Sequence, residues 1–240
     1  MDAKELMDAK ELQQKIRSRG YWRVVIRPSV FIGERARLRD LESIARDSVV
    51  QLRGWDYPHF PRDGVTRGND FIEAPTDVEW LSHIELWRLY QSGQFVHLFA
   101  MREDWVEGTS LPGLGNVKRG TLLSYESTLY TITEIFLFAG RLAQRMALGP
   151  DVVVEYGLYN LQNRRLETFN PGRDSLFLMP SATAIGASYE RTVTEKAESI
   201  VARAPEIALD QSLNLFERFG WDVSTQSLQE EQRKFLERRL

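Results

Sequence analysis

The sequence predicts an α+β fold: a mixed or antiparallel sheet with a central hairpin at about 84–101, packed against a long core helix at about 125–147, with helices at the C-terminus. Three observations predict it. Two apolar runs, Ile84–Gln91 and Gln94–Met101, flank the turn-forming pair Ser92-Gly93. Tyr125, Leu129, Ile132, Phe136, Ala139, Ala143 and Met146 recur at alternating four and three spacing, as one face of a helix does. Strand-like and helix-like stretches do not alternate regularly, which argues against a doubly wound parallel sheet.

The opening MDAKELMDAKEL is a tandem copy too short to build a solenoid, and reads as a duplicated start or a cloning remnant. The stretch through Arg19 has helical composition and stops at Gly20. Residues 1–20 are therefore expected to form an N-terminal helix, 21–204 a single α+β core domain and 205–240 a C-terminal helical pair. Residues 21–27 read as a strand ended by Pro28, with Trp22, Val24 and Ile26 on one face and Tyr21, Arg23, Val25 and Arg27 on the other. Leu38, Leu41, Ile44 and Ala45 have helical spacing, Val49–Leu52 looks like a strand, and Arg53 to about Asp77 reads as a long loop. A two-residue hairpin loop at Ser92-Gly93 sets Gln91 opposite Gln94. Ile84, Leu86, Arg88 and Tyr90 then share a face with Met101, Phe99, His97 and Phe95. The opposite face holds Glu85, Trp87, Leu89, Val96, Leu98 and Ala100, and both faces are apolar enough to be covered. A glycine-rich loop at 108–120 leads into the core helix, which Gly149-Pro150 stops. Strand character returns over 151–178. Pro205 and Gly220 bound the first terminal helix, and Ser227 with Glu230 forms a capping box for the second.

The chain has 240 residues, no cysteine and a formal net charge of −3, with 42% hydrophobic residues. A disulfide scaffold, a thiolate metal site and a cysteine nucleophile are thereby excluded, while a packed core is well within reach. The start is charged rather than apolar, and no apolar run has the length of a membrane span, so a cytoplasmic location without a membrane partner is expected. Arginine supplies 25 of the 31 basic residues, which suits bidentate recognition of phosphate or carboxylate and equally follows from GC-rich coding.

The candidates for chemistry are few. The three histidines His59, His83 and His97 lack the i, i+4 spacing of a zinc helix, and no HExxH occurs. Gathering them with Asp56, Asp70 or Glu85 is the less favoured arrangement, so no metal and no cofactor is expected. No nucleophile elbow supports a serine hydrolase. In the expected register Arg88 stands beside His97 on an apolar face and needs an anionic partner there. The alternatives are an internal salt bridge, to Asp56 or Glu134, and a pocket where Arg88 holds an anion and His97 moves a proton. Trp55-Asp56-Tyr57-Pro58-His59 either lines a recognition groove or anchors a loop to the core. Gly113–Gly120 fits no phosphate-loop pattern and reads more simply as a flexible connection. Lys15 and eight arginines crowd residues 15–46, and Tyr21, Arg23 and Arg27 would offer an aromatic and two guanidinium groups to nucleic acid. Seven acids over 54–87 stand ready to neutralise them.

LRGWDYPHF at 52–60, LYQSGQFVHLFAMREDW at 89–105 and LYTITEIF at 129–136, with the opening Ile26-Arg27-Pro28, resemble a group of bacterial proteins of unassigned activity. The resemblance covers roughly 21–147 and carries over no catalytic residues. It implies a weak association with nucleic-acid-binding segments of the AlbA/Schlafen kind. Three functional expectations follow. The first is a non-enzymatic binding or interaction module of a bacterial regulatory or defence-type system, contacting nucleic acid or a partner protein. The second is a hydrolase or nuclease with a pocket around Asp56, His59, Arg88 and His97. The third is a structural subunit forming a homo-oligomer through its C-terminal helices, by way of Ile207, Leu213, Phe216 and Leu236.

Overall fold

Along β1 (Tyr21–Pro28), Trp22, Val24 and Ile26 enter the main core while Tyr21, Arg23 and Arg27 face the other way, as the alternation requires. The computed structural model describes residues 9–78, 81–105, 119–167 and 186–238. They form an α+β fold with β1 near the middle of a seven-stranded antiparallel sheet. The strand order is β2 (Thr66–Arg67), β3 (Phe71–Val78), β4 (His83–Tyr90), β5 (Phe95–Ala100), β1, β7 (Asp151–Tyr159) and β9 (Ser188–Lys196). Two short strands, β6 (Leu122–Ser124) and β8 (Arg165–Glu167), pair in parallel beside it.

The helix α3 (Tyr125–Met146) covers one face of the sheet. Ser124 caps its start by accepting a hydrogen bond from the Ser127 N–H at 3.1 Å. Ala147, at φ 47°, and Gly149, at φ +94°, turn the chain off its end. Phe95 and Phe138 meet at 4.6 Å where helix and hairpin pack. Two further helices back α3: α4 (Ala197–Glu217) and α5 (Thr225–Leu236). Gly140 lets α4 approach closely, since a Cβ there would lie 3.0 Å from the Ile200 carbonyl oxygen. On the opposite face, α1 (Ala9–Arg17) lays Leu12 and Ile16 over Ile84, Leu86 and Leu98. The hairpin is thus covered on both sides, as its two apolar faces predict.

Four expectations are corrected. The hairpin loop has three residues, not two: Tyr90 N–H donates to Gln94 O and Gly93 N–H to Tyr90 O, with Gly93 at φ +86°. The register therefore shifts by one, pairing Trp87 with His97 and Arg88 with Val96. Because side chains alternate, this moves His97, Phe95 and Phe99 onto the face of Glu85 and Trp87, and leaves Arg88 on the other. Second, part of the expected long loop is β3, whose Ile72, Ala74 and Thr76 are buried in alternation. Pro75 is tolerated because β2 reaches only Ile72 and Glu73, so the outer side of β3 is unpaired at that point. Third, Val49–Leu52 contributes only an isolated bridge, Val50 to Tyr57. Fourth, α4 starts at Ala197 and runs across a kink at Arg203, so Pro205 opens only its second part, and α5 starts at Thr225 rather than at Ser227. Glycines 113 and 115 and the expected strand at 175–179 lie outside the described residues.

Candidate functional site

Reciprocal backbone bonds between Val50 and Tyr57, at 2.8 and 2.9 Å, fold the segment after α2 (Leu41–Ser48) back on itself. Trp55, Asp56, Tyr57 and His59 are thereby presented to the start of β4 and the end of β5. Asp56 organises the turn: one carboxylate oxygen lies 2.6 Å from His59 Nδ1, and the other accepts the Phe60 N–H. The Trp55 ring packs between His59 and His83, at centroid distances of 4.2 and 4.0 Å. Trp87 Nε1 donates to the His59 carbonyl at 2.7 Å, fastening the turn to the sheet.

Glu85 is the centre on which this segment and the hairpin converge. It is fully buried, and its carboxylate accepts the His59 backbone N–H at 2.8 Å. His97 Nε2 lies 2.9 Å from its other oxygen, and His83 Nε2 stands at an ion-pair distance of 3.4 Å. Burial pushes the carboxyl up, but His83 and His97 together overcome that and hold it down at about 2. Glu134 on α3 has the opposite balance. Burial raises it to about 7, with Glu85 and Asp56 adding to the rise, although Arg53 holds it in a two-pronged pair at 2.6 and 3.1 Å. Arg53 also donates to Thr131 at 3.0 Å. Burial, reinforced by Glu85 and Glu134, lifts the Tyr57 hydroxyl well above its ordinary value.

Between these groups lies a cavity of about 340 Å³. Trp22, Trp55, Tyr57 and Phe99 supply aromatic wall; Glu85, Glu103 and Glu134 supply carboxylates. Four of its lining side chains carry buried polar atoms without a hydrogen-bond partner: Trp55 Nε1, the Tyr57 hydroxyl, Thr128 Oγ1 and His83 Nε2, the last of which still stands at ion-pair distance from Glu85. Among the described residues, no three His, Cys, Asp or Glu side chains stand so as to hold a metal ion. Asp70, one candidate ligand, sits by the hairpin turn, where its carbonyl accepts from Gln91 N–H.

Of the four residues expected around one pocket, Asp56, His59 and His97 are brought together through Glu85, and Arg88 is not. The one-residue register shift sends Arg88 to the far face. There it pairs with Glu73 at 2.7 Å and lies over the Phe71 ring at 3.9 Å, so its partner is neither Asp56 nor Glu134. Tyr21, Arg23 and Arg27 do share a strand face, but Tyr21 stacks on Tyr159 at 4.7 Å and Arg27 pairs with Glu155 at 2.9 Å. Arg23 alone is exposed. Part of the acidic segment neutralises the basic one within the fold, as Lys15 with Asp77 shows at 2.8 Å.

Sequence reasoning undervalued Glu85, Glu134 and Arg53. The available signal was a carboxylate inside an apolar strand (Ile84-Glu85-Leu86-Trp87) and another inside an apolar helix (Ile132-Thr133-Glu134-Ile135). An ionisable group in such a run is buried against a partner. No family model, no curated protein and no solved structure matches the chain.

Proposed function

We propose that the protein is a small-molecule-binding module whose ligand occupies the cavity between the 53–59 turn, the hairpin and α3. The ligand class is a small ring compound, neutral or cationic and rich in hydrogen-bond donors, such as a sugar or a nucleoside. The carrying observation is the set of buried, unpartnered Trp55 Nε1, Tyr57 hydroxyl and Thr128 Oγ1 around one cavity. Native proteins seldom leave such groups unsatisfied, so three around one cavity argue for an absent partner. The aromatic walls favour a ring, and the carboxylates favour donors over anions. Of the cations on the wall, Arg53 is engaged by Glu134, and Arg102 is exposed. A phosphate-bearing substrate is therefore poorly matched to this cavity.

Tryptophan fluorescence, with Trp22 and Trp55 on the wall, tests the reading against a panel of aldoses, nucleosides and amino sugars. Tyr57→Phe and Thr128→Val should leave the unliganded melting temperature unchanged or higher, because neither loses an internal bond. Each should weaken a saturating ligand about tenfold, the equivalent of one hydrogen bond. Loss of stability by about 1 kcal/mol in both variants, as for an ordinary buried hydrogen bond, would mean these groups are satisfied within the fold and sink the proposal.

A second reading rests on the opposed protonation of Glu85 and Glu134, which is how one site keeps an acid and a base together. In that case the cavity hydrolyses a glycosidic bond of a neutral ligand: Glu134 gives its proton to the leaving oxygen as the bond breaks, and the ionised Glu85 takes a proton from the attacking water. Hydrolysis of chromogenic aryl glycosides with a rate limb near pH 7, removed by Glu134→Gln, would favour it over simple binding.

A further inference from the structure

We infer that a second site, at the junction of α1 and β1 and separate from the cavity, binds the phosphate oxyanion of a phosphate ester. It is an open depression of about 430 Å³ lined by Arg17, Arg19, Arg119, Asn160 and Arg164 around Asp104, the sole acid among the described lining residues.

The floor is rigid and internally neutralised. Arg164 and Asp104 are both buried and form a two-pronged ion pair. Asp104 also accepts the N–H groups of Gly20 and Gly120, at 2.7 and 3.0 Å, and Arg164 donates to the carbonyls of Asn160 and Leu122. The Asp104 carboxylate is therefore fully engaged and has little capacity left to neutralise the rim. The rim carries three more guanidinium groups, on Arg17, Arg19 and Arg119.

Arg19 is held ready. One of its nitrogens donates to the Asp104 carbonyl at 2.8 Å, and its plane lies 3.9 Å over the Trp105 ring, leaving its other N–H groups for a ligand. Asn160 donates to the carbonyls of Arg17 and Arg19, at 3.2 and 2.7 Å, fixing the backbone between them. The Arg17 side chain is exposed and makes no hydrogen bond or ion pair among the described residues. Arginines converging on a neutral, braced floor match the tetrahedral, multiply acceptor geometry of a phosphate group. A free phosphate ester and a nucleic-acid backbone would offer the same chemistry.

Titration of the full chain with pyrophosphate, and separately with a labelled single-stranded DNA by fluorescence anisotropy, tests this assignment. Saturable pyrophosphate binding is expected, weakened about tenfold by Arg17→Ala and by Arg19→Ala, the scale of one lost charged contact. Arg203→Ala, at an exposed position of α4, should leave it unchanged. The Arg17 side chain makes no hydrogen bond or ion pair among the described residues, so its variant keeps the test valid if Arg19→Ala disturbs Trp105. Competition between pyrophosphate and DNA would identify a nucleic-acid backbone as the source, and pyrophosphate binding without DNA binding a small phosphate ester. Absence of pyrophosphate binding, equal weakening by Arg203→Ala, or DNA binding that pyrophosphate does not displace would each overturn the assignment. The arginines would then serve only the C-terminal end of α1, where cations are favoured.

Discussion

Glu134 shows how much one buried carboxyl ties stability to pH. Folded, it keeps its proton up to about 7; unfolded, it loses it near the usual carboxylate value of about 4.3. Its contribution is thus fully present below that unfolded value and fades as pH rises through the folded one. Glu134→Gln, fixed in the neutral form, should abolish this fall. The wild type should lose on the order of 3 kcal/mol relative to the variant between about pH 4 and about pH 8. Urea melts across that range would measure it, and identical slopes would show that Glu134 ionises normally. Glu85 has the reverse sign: held at about 2, it stabilises above the unfolded value and loses that contribution as pH falls toward 2. Gly20 is equally exacting for a steric reason. A Cβ there would stand 2.3 Å from Arg164 Nη2 and 2.7 Å from Asp104 Oδ2, so Gly20→Ala should destabilise by on the order of 3 kcal/mol through the buried pair, read by thermal melting.

At the scale of elements, the hairpin turn decides which side chains meet. Gly93 holds φ +86°, and a Cβ would lie 2.5 Å from Leu148 Cδ2. Gly93→Ala should therefore cost about 2 kcal/mol or more, whereas Ser92→Ala should cost little. Equal effects of the two substitutions in denaturant melts would mean the three-residue loop is wrong. The C-terminal helices belong to the core of this chain. Ile207 and Phe216 are buried within it, Phe235 stacks on Tyr130 at 4.2 Å, and Gln232 donates to Thr133 at 3.0 Å. Removing residues 205–240 should accordingly unfold the protein rather than release a monomer from an assembly. Circular dichroism with light scattering distinguishes the two results.

Across the whole molecule, the surface carries both a charged sheet edge and a small exposed apolar loop. The outer edge strand β9 carries the charged Glu190, Arg191, Glu195 and Lys196, which discourages edge-to-edge pairing. Val30, Phe31 and Ile32 are exposed at 54%, 79% and 48%, on a loop held by Arg35, which donates to the carbonyls of Val30 and Ala147. They contribute nothing to the core, so Phe31→Ser should change stability by less than about 0.5 kcal/mol. A larger loss on melting would place Phe31 in contacts that this fold does not give it. No helix among the described residues is long and apolar enough to cross a membrane.

Local periodicity by itself determined the α+β class, the inward face of β1 and the extent of α3, because alternation and the 3.6-residue repeat act within one element. It also placed the aromatic turn at 55–59 among the candidates. It did not settle the meeting of Arg88 with His97, since a single extra loop residue exchanges the two faces of a strand. Nor did it reveal β3, where Pro75, Glu73 and Asp77 mask an alternation of buried Ile72, Ala74 and Thr76. Only the tertiary structure decided that Glu85 gathers the turn and the hairpin, that Glu134 answers to Arg53, and that Asp104 and Arg164 floor a basin of arginines. Those partners lie between 12 and 81 residues apart along the chain, and the low dielectric that shifts their charges exists only once the elements pack together.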